Sequence, residues 1–276
     1  MIMPVELRSF CMAIACLLIC HKSLLAQETS ESNPLPDFLV VRDGWQASQI
    51  DVKRVLESTA IHLWQHFPDR ELDPIVVYPK GGPIVLYDRG PKDEYVMMLN
   101  TGESYWAQYA FQFSHEFCHI LCVYDTDPHS NNWFEESICE LASLYTLRQM
   151  SESWKTDAPY DHWQDYGASL YAYAEERIGD SQLEDQTLAE WYRDHSAELH
   201  ASATKRNLNN VVAVALLPLF EDNPENWAAI QYLNSATPQS EQTFEQYLSD
   251  WYRNSPEDFH TFISEIASQF EITLTD

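Results

Sequence analysis

Only seven glycines occur in the 276 residues, and their placement excludes several common chemistries. There is no G-x-S-x-G nucleophile elbow, no Walker sequence and no D-x-D-x-D-G calcium loop. The one adjacent pair, Gly81 and Gly82, lacks the spacing of a phosphate-binding loop and reads as a hairpin turn between two strands. Positive charge is scarce as well: 16 Lys and Arg stand against 43 Asp and Glu, a formal net charge of −27. Such a surface repels phosphate backbones and anionic lipid headgroups, which argues against nucleic acid or an acidic membrane as a partner. The plainest use of that charge is solubility. Cysteine is also sparse: Cys11, Cys16 and Cys20 lie near the N-terminus, and Cys118, Cys122 and Cys139 do not make a zinc knot. No carboxylate pair stands out for glycoside cleavage.

Long apolar runs are missing beyond the first two dozen residues, so nothing later reads as a membrane span. At the N-terminus, Arg8 precedes an apolar run from Phe10 to Cys20, and Leu24, Leu25 and Ala26 follow. The run is too short to cross a bilayer and fits the core of a cleavable export signal, with cleavage after Ala26. Residues 1–26 are therefore expected to be a signal peptide, and the polar, proline-bearing residues 27–36 a linker. Residues 37–276 are expected to form a single domain, with a sheet lobe carrying an active helix (37–125) and a helical lobe (126–276). The mature protein is expected outside the cytoplasm, periplasmic or extracellular. In an oxidising compartment Cys139 can bridge to Cys118 or Cys122, although buried free thiols are the default expectation.

Hydrophobic periodicity gives the element order. Phe38 to Val41 reads as a short strand, and Ser48 to Phe67 as a helix, with Val52, Val55, Leu56, Leu63 and Phe67 on one face and Pro68 at its end. Strand-like runs follow at Pro74 to Tyr78, Pro83 to Tyr87 and Glu94 to Asn100, before an aromatic helix beginning near Glu103. From Asn132 the pattern is mainly helical, with runs near Trp133–Met150, His162–Ile178, Leu188–His195, Asn207–Phe220, Thr243–Arg253 and Glu257–Phe270. This is an α+β chain: a small mixed sheet packed on helices, then a mainly helical lobe.

The aromatic helix carries His115, Glu116, Phe117, Cys118 and His119, an H-E-x-x-H sequence. Positions four apart share a helical face, so the two imidazoles lie roughly 6 Å apart along the axis and can grasp one cation. Glu116 projects to the flank of that face, placed to take a proton from a water. The bland reading is two polar histidines packed among aromatic neighbours. A second stretch, Asn132 to Glu140, weighs against it. Asn132 reads as a helix N-cap and Glu135 as its capping-box partner, whereas Glu136 faces differently. Returning on an antiparallel helix, Glu136 can supply a carboxylate as third ligand and leave a fourth position open, the pattern of a catalytic zinc. Asp125, six positions past His119, is a rival third ligand, but that arrangement needs a glycine where Cys122 stands.

With H-E-x-x-H at 115–119 and Trp133, Phe134, Glu135, Glu136 downstream, residues 74–150 resemble the gluzincin metallopeptidases, thermolysin-like and aminopeptidase N-like. The resemblance implies a zincin-like fold, one Zn2+ per chain and a peptide or protein substrate. It implies His115, His119 and Glu136 as zinc ligands, Glu116 as general base, and Glu140 as the acid that holds the first ligand histidine by its second nitrogen. A downstream Tyr or His is expected to stabilise the oxyanion; Tyr166, Tyr171, Tyr173 and His195 are the candidates, with Tyr171 favoured. Ser137 replaces the common glycine, and no G-x-M-E-N motif precedes the active helix, so aminopeptidase action is not implied. The competing function is a non-catalytic exported binding protein on the same scaffold.

Overall fold

The computed structural model describes residues 33–124, 131–237 and 241–275. The expected signal peptide, most of the expected linker, and the rival ligand Asp125 lie outside the described residues. The chain is α+β and mostly helical. Strand β1 (Phe38–Val40) leads through helix α1 (Gln49–Trp64) to β2 (Ile75–Pro79), then β3 (Ile84–Val85) and β4 (Tyr95–Leu99). Helices α2 (Trp106–Leu121), α3 (Asn132–Asp157), α4 (Gly167–Gly179), α5 (Leu188–Ala201), α6 (Arg206–Asp222), α7 (Phe244–Asn254) and α8 (His260–Gln269) follow, with short 3-10 segments between some of them. Among the described residues no helix is long and apolar enough to cross a membrane.

The sheet runs in the order β1-β2-β4-β3, with the first three strands parallel and β3 antiparallel on the edge. This corrects the expected hairpin, because β3 pairs with β4 (Ile84 with Met98, Val85 with Met97) and not with β2. The glycines still serve the turn, by a different route. After β2 the chain crosses the end of β4, where Lys80 N–H donates to the Leu99 carbonyl at 2.6 Å. Gly82 passes so close to β4 that an added Cβ would fall 2.0 Å from the Met98 carbonyl oxygen. Only glycine fits that approach.

Helices α2 and α3 form the centre of the molecule. Both are buried on nearly every side, which is why α2 is apolar almost all round: Tyr109, Phe113, Phe117, Ile120 and Leu121 are each at most 1% exposed. Phe113 meets Phe38 of β1 edge-on at 5.4 Å and stacks on Phe117 at 5.5 Å, tying the helix to the sheet. The two helices run antiparallel. Ser143 of α3 donates to the Phe111 carbonyl early in α2, whereas Glu135, at the start of α3, meets His119 near the end of α2. At the head of α3, Trp133 packs at 4.7 Å on Phe244 of α7 and stacks at 5.5 Å on Tyr192 of α5. The aromatic pair Trp133–Phe134 thereby anchors the first turn of α3 in the helical part of the core.

Helix α2 ends without a glycine. Val123 takes the left-handed conformation (φ 56°) that a β-branched residue rarely adopts, and the Tyr124 N–H turns back onto the His119 carbonyl at 3.2 Å. The guanidinium of Arg70, from the loop after α1, donates to the carbonyls of Leu121 (2.5 Å) and Ile120 (2.7 Å). It satisfies the Leu121 acceptor and joins the Val123 N–H, which already reaches the Ile120 carbonyl at 3.2 Å.

Candidate metal centre

The last two turns of α2 and the first two of α3 bring the motif residues together. His115 Nε2 donates to Glu136 Oε2 at 3.2 Å, and His119 Nε2 lies 3.7 Å from Glu136 Oε1. One donor atom from each of the three residues falls within 4.8 Å of the others. A tetrahedral zinc with bonds near 2.0–2.2 Å sets its ligand atoms about 3.3 Å apart, so this donor set of two imidazoles and a carboxylate fits such an ion. The three side chains open on a cleft of about 310 Å³, bordered by Val85 and Tyr87 on the sheet side, Tyr124 beyond α2, and Thr204 and Arg206 at the start of α6. Glu116, 4% exposed, lines the same cleft, its Oε2 accepting the Val85 N–H of the edge strand at 2.7 Å.

The electrostatics of these groups show how far the cleft favours a cation. Burial pulls the His119 pKa down, but the hydrogen bond to Glu135 and the charges of Glu135, Glu136 and Glu116 outweigh it and raise it to about 10. His115 is also raised: burial and His119 oppose the proton, while the bond to Glu136 and the charges of Glu140 and Glu116 hold it. For Glu136, burial favours the neutral acid, and the two histidines and Arg206 reverse that and keep its pKa low. Protons thus sit where carboxylates converge on imidazoles, and a divalent cation would satisfy the same charges.

The surroundings of the three converging residues depart from expectation. Glu135 is not a capping residue. Asn131, not Asn132, is the N-cap, its side chain makes no capping bond, and Glu135 Oε1 instead accepts from His119 Nδ1 at 2.5 Å. The other oxygen of Glu135 accepts from Asn234 Nδ2 at 2.7 Å, and Asn234 Oδ1 accepts from the Tyr247 hydroxyl at 3.0 Å. This relay fixes the His119 tautomer and leaves Nε2 facing the cleft. The expected bond from Glu140 to His115 is not made. Glu140 Oε1 pairs with Arg206 Nε at 3.0 Å, and Glu140 Oε2 and His115 Nδ1 are both buried without a partner among the described residues.

The four expected oxyanion candidates are also redistributed. Tyr171 is 46% exposed and does not border the cleft, because α4 turns Leu170 and Ala174 inward instead. The Tyr166 hydroxyl accepts from the Ala107 N–H at 3.3 Å, and His195 stacks on Trp191 at 4.5 Å. Tyr173 borders only an adjoining recess. The aromatic groups that do face the centre are Tyr87 and Tyr124, the latter donating to the Leu86 carbonyl at 2.6 Å. Tyr124 follows the motif by five residues, and nothing in its spacing marked it; only the reversal at Val123 brings it back. Glu135 was visible beside Glu136, but the capping pattern absorbed it.

The three described cysteines are free and buried. Cys118 and Cys122 sulfurs lie 4.0 Å apart on α2, in a cluster completed by Cys139 of α3. No family model matches the chain, and neither a functionally characterised protein nor a solved structure matches it.

Proposed function

We propose that the chain is a zinc-dependent peptidase with a zincin-like fold, of the gluzincin kind. The observation that carries this reading is the convergence of His115 Nε2, His119 Nε2 and the Glu136 carboxylate on one point of an open cleft, with the Glu116 carboxylate beside it. His115, His119 and Glu136 would hold the ion, and Glu135 would orient His119 toward it. Zinc, when bound, supplies a Lewis acid and brings the pKa of a water from about 16 toward 7. Glu116 takes the proton as the water oxygen bonds to the peptide carbonyl carbon, then delivers it to the departing amine nitrogen as the C–N bond breaks. The bond from the Val85 N–H keeps the Glu116 carboxylate aimed along the edge strand. Export by way of residues 1–26 and a peptide or protein substrate belong to the same proposal; the −27 charge disfavours nucleic acid as an alternative partner.

The test is a peptide-library digest with and without chelator, accompanied by metal analysis of the purified protein. The wild type should cleave and lose cleavage to the chelator. Glu116→Gln should keep its zinc and lose turnover by at least about a hundredfold, the low end of general-base contributions. His115→Ala should lose the metal. Unchanged turnover in Glu116→Gln refutes the base assignment, and zinc bound by the wild type with no cleavage anywhere in the library favours a non-catalytic binding protein instead.

A further inference from the structure

His115 also borders a second, smaller recess of about 80 Å³, walled by α2, α4 and the first residue of α6. Two guanidinium groups line it, Arg177 and Arg206. Arg177 lies over the ring of Phe111, its guanidinium carbon 4.1 Å from the ring centroid, and over Tyr173 at 4.7 Å, and it donates to the Tyr173 hydroxyl at 2.7 Å. These contacts hold the side chain in place without neutralising it. Its Nε is buried with no hydrogen-bond partner, and it pairs with no carboxylate among the described residues, although Arg148 nearby is paired with Glu175 and Glu221. Arg206 borders both recess and cleft. Its Nε is taken by Glu140, which leaves most of a five-donor fork unused.

In a chain of net charge −27, two cations converging on one hollow next to the candidate metal centre call for an anion between them. A planar guanidinium fork matches a carboxylate in particular. The volume admits such a group with a few waters, at about 10–15 Å³ for each water-sized volume. Four carboxylates, of Glu116, Glu135, Glu136 and Glu140, line the main cleft and none lines the recess, so the recess is the place for a substrate carboxylate.

We propose that Arg177 and Arg206 form a carboxylate subsite that receives the free C-terminus of a peptide, making the enzyme one that trims chains from their C-terminal end. This rests on the peptidase reading above. The water oxygen bonds to the carbonyl carbon, the C–N bond breaks, and the water proton passes through Glu116 to the new amine. The released fragment leaves with its original carboxylate, and the shortened peptide gains a new one.

Binding is measured by calorimetry on chelator-treated full-length protein, so that no metal competes for the carboxylate. The probes are N-acetyl-leucine, N-acetyl-leucinamide and the α-amide of N-acetyl-aspartate. N-acetyl-leucine should bind at least about tenfold more tightly than its amide, as expected for a charge-assisted fork. Arg177→Met, which keeps apolar packing between Phe111 and Tyr173, should abolish that preference. Arg206→Lys, which keeps a cation opposite Glu140, should reduce it. Equal binding of acid and amide, or a preference that survives Arg177→Met, overturns the subsite. Binding of the aspartate α-amide as strong as that of N-acetyl-leucine overturns the chain-end assignment. A clear acid preference in a protein that cleaves no peptide leaves the subsite standing and fells the hydrolytic reading; cleavage of acid and amidated peptides at equal rates does the reverse.

Discussion

Glu135 and His62 show what a single buried polar group does in this molecule. Glu135 joins His119 to Asn234 and Tyr247 through bonds of 2.5, 2.7 and 3.0 Å. Glu135→Gln keeps the shape and removes the charge, and outer-shell carboxylates of this kind are worth roughly 10- to 100-fold in metal affinity. Zinc titration against a competing chelator should show a loss in that range, with the fold intact by circular dichroism. His62, half-buried on α1 and 3.1 Å from the Ser153 hydroxyl, has its pKa lowered from 6.5 to about 4 by burial and by neighbouring His66. The unfolded chain therefore binds a proton between these values that the folded chain refuses. Its stabilising contribution is complete above pH 6.5, declines as pH falls, and is lost below about pH 4; the upper bound is about 3 kcal/mol, lessened by the ring's partial exposure. Urea unfolding at pH 7 and pH 4.5 should show a smaller pH-dependent loss in His62→Gln than in the wild type.

Among the elements, α2 carries most of the candidate centre and its C-terminal turn is the most exacting. Three of its last seven residues are His115, Glu116 and His119, and the helix is followed at once by the strained Val123. Arg70 closes the end by donating to two carbonyls, also placing positive charge where the helix dipole is negative. Arg70→Met leaves the Leu121 carbonyl without that donor, while Ile120 keeps the Val123 N–H, and should cost about 1–3 kcal/mol in denaturant unfolding, typical of hydrogen bonds from charged groups. It should also weaken zinc binding, because His119 sits in the same turn. The positions of these helices were legible from periodicity: α1, α2, α6 and α7 appear where the spacing of apolar residues put them, within a few residues, while α3 runs seven residues past the expected end at Met150. The strand pairing was not. Two strand-like runs flanking Gly81 and Gly82 read as a hairpin, yet β4 lies between them, since side-chain alternation fixes which face of a strand is buried and says nothing of its neighbour.

For the whole molecule, charge and core pull in opposite directions. An excess of acids giving −27 strains the compact state through self-repulsion, while the α2–α3 centre and the aromatic cluster around Trp133 hold it together. Raising salt from about 20 to about 300 mM shortens the screening length several-fold and should raise the melting temperature at pH 7 by a few degrees. A melting temperature that falls with salt would show that ion pairs such as Arg148 with Glu175 and Glu221 outweigh the repulsion.

Local periodicity is enough to set His115 and His119 on one face, because a helix of period 3.6 necessarily aligns positions four apart, and no glycine or proline interrupts it. The α+β character is likewise legible there, in the change from short alternating runs to long helical ones. Tertiary structure alone decided the company those residues keep: Glu135 rather than Glu140 on an imidazole, Tyr124 rather than Tyr171 at the cleft, and Arg177 facing a recess beside His115. Each of those depends on the crossing of helices distant in sequence, and local periodicity carries no record of which helices meet.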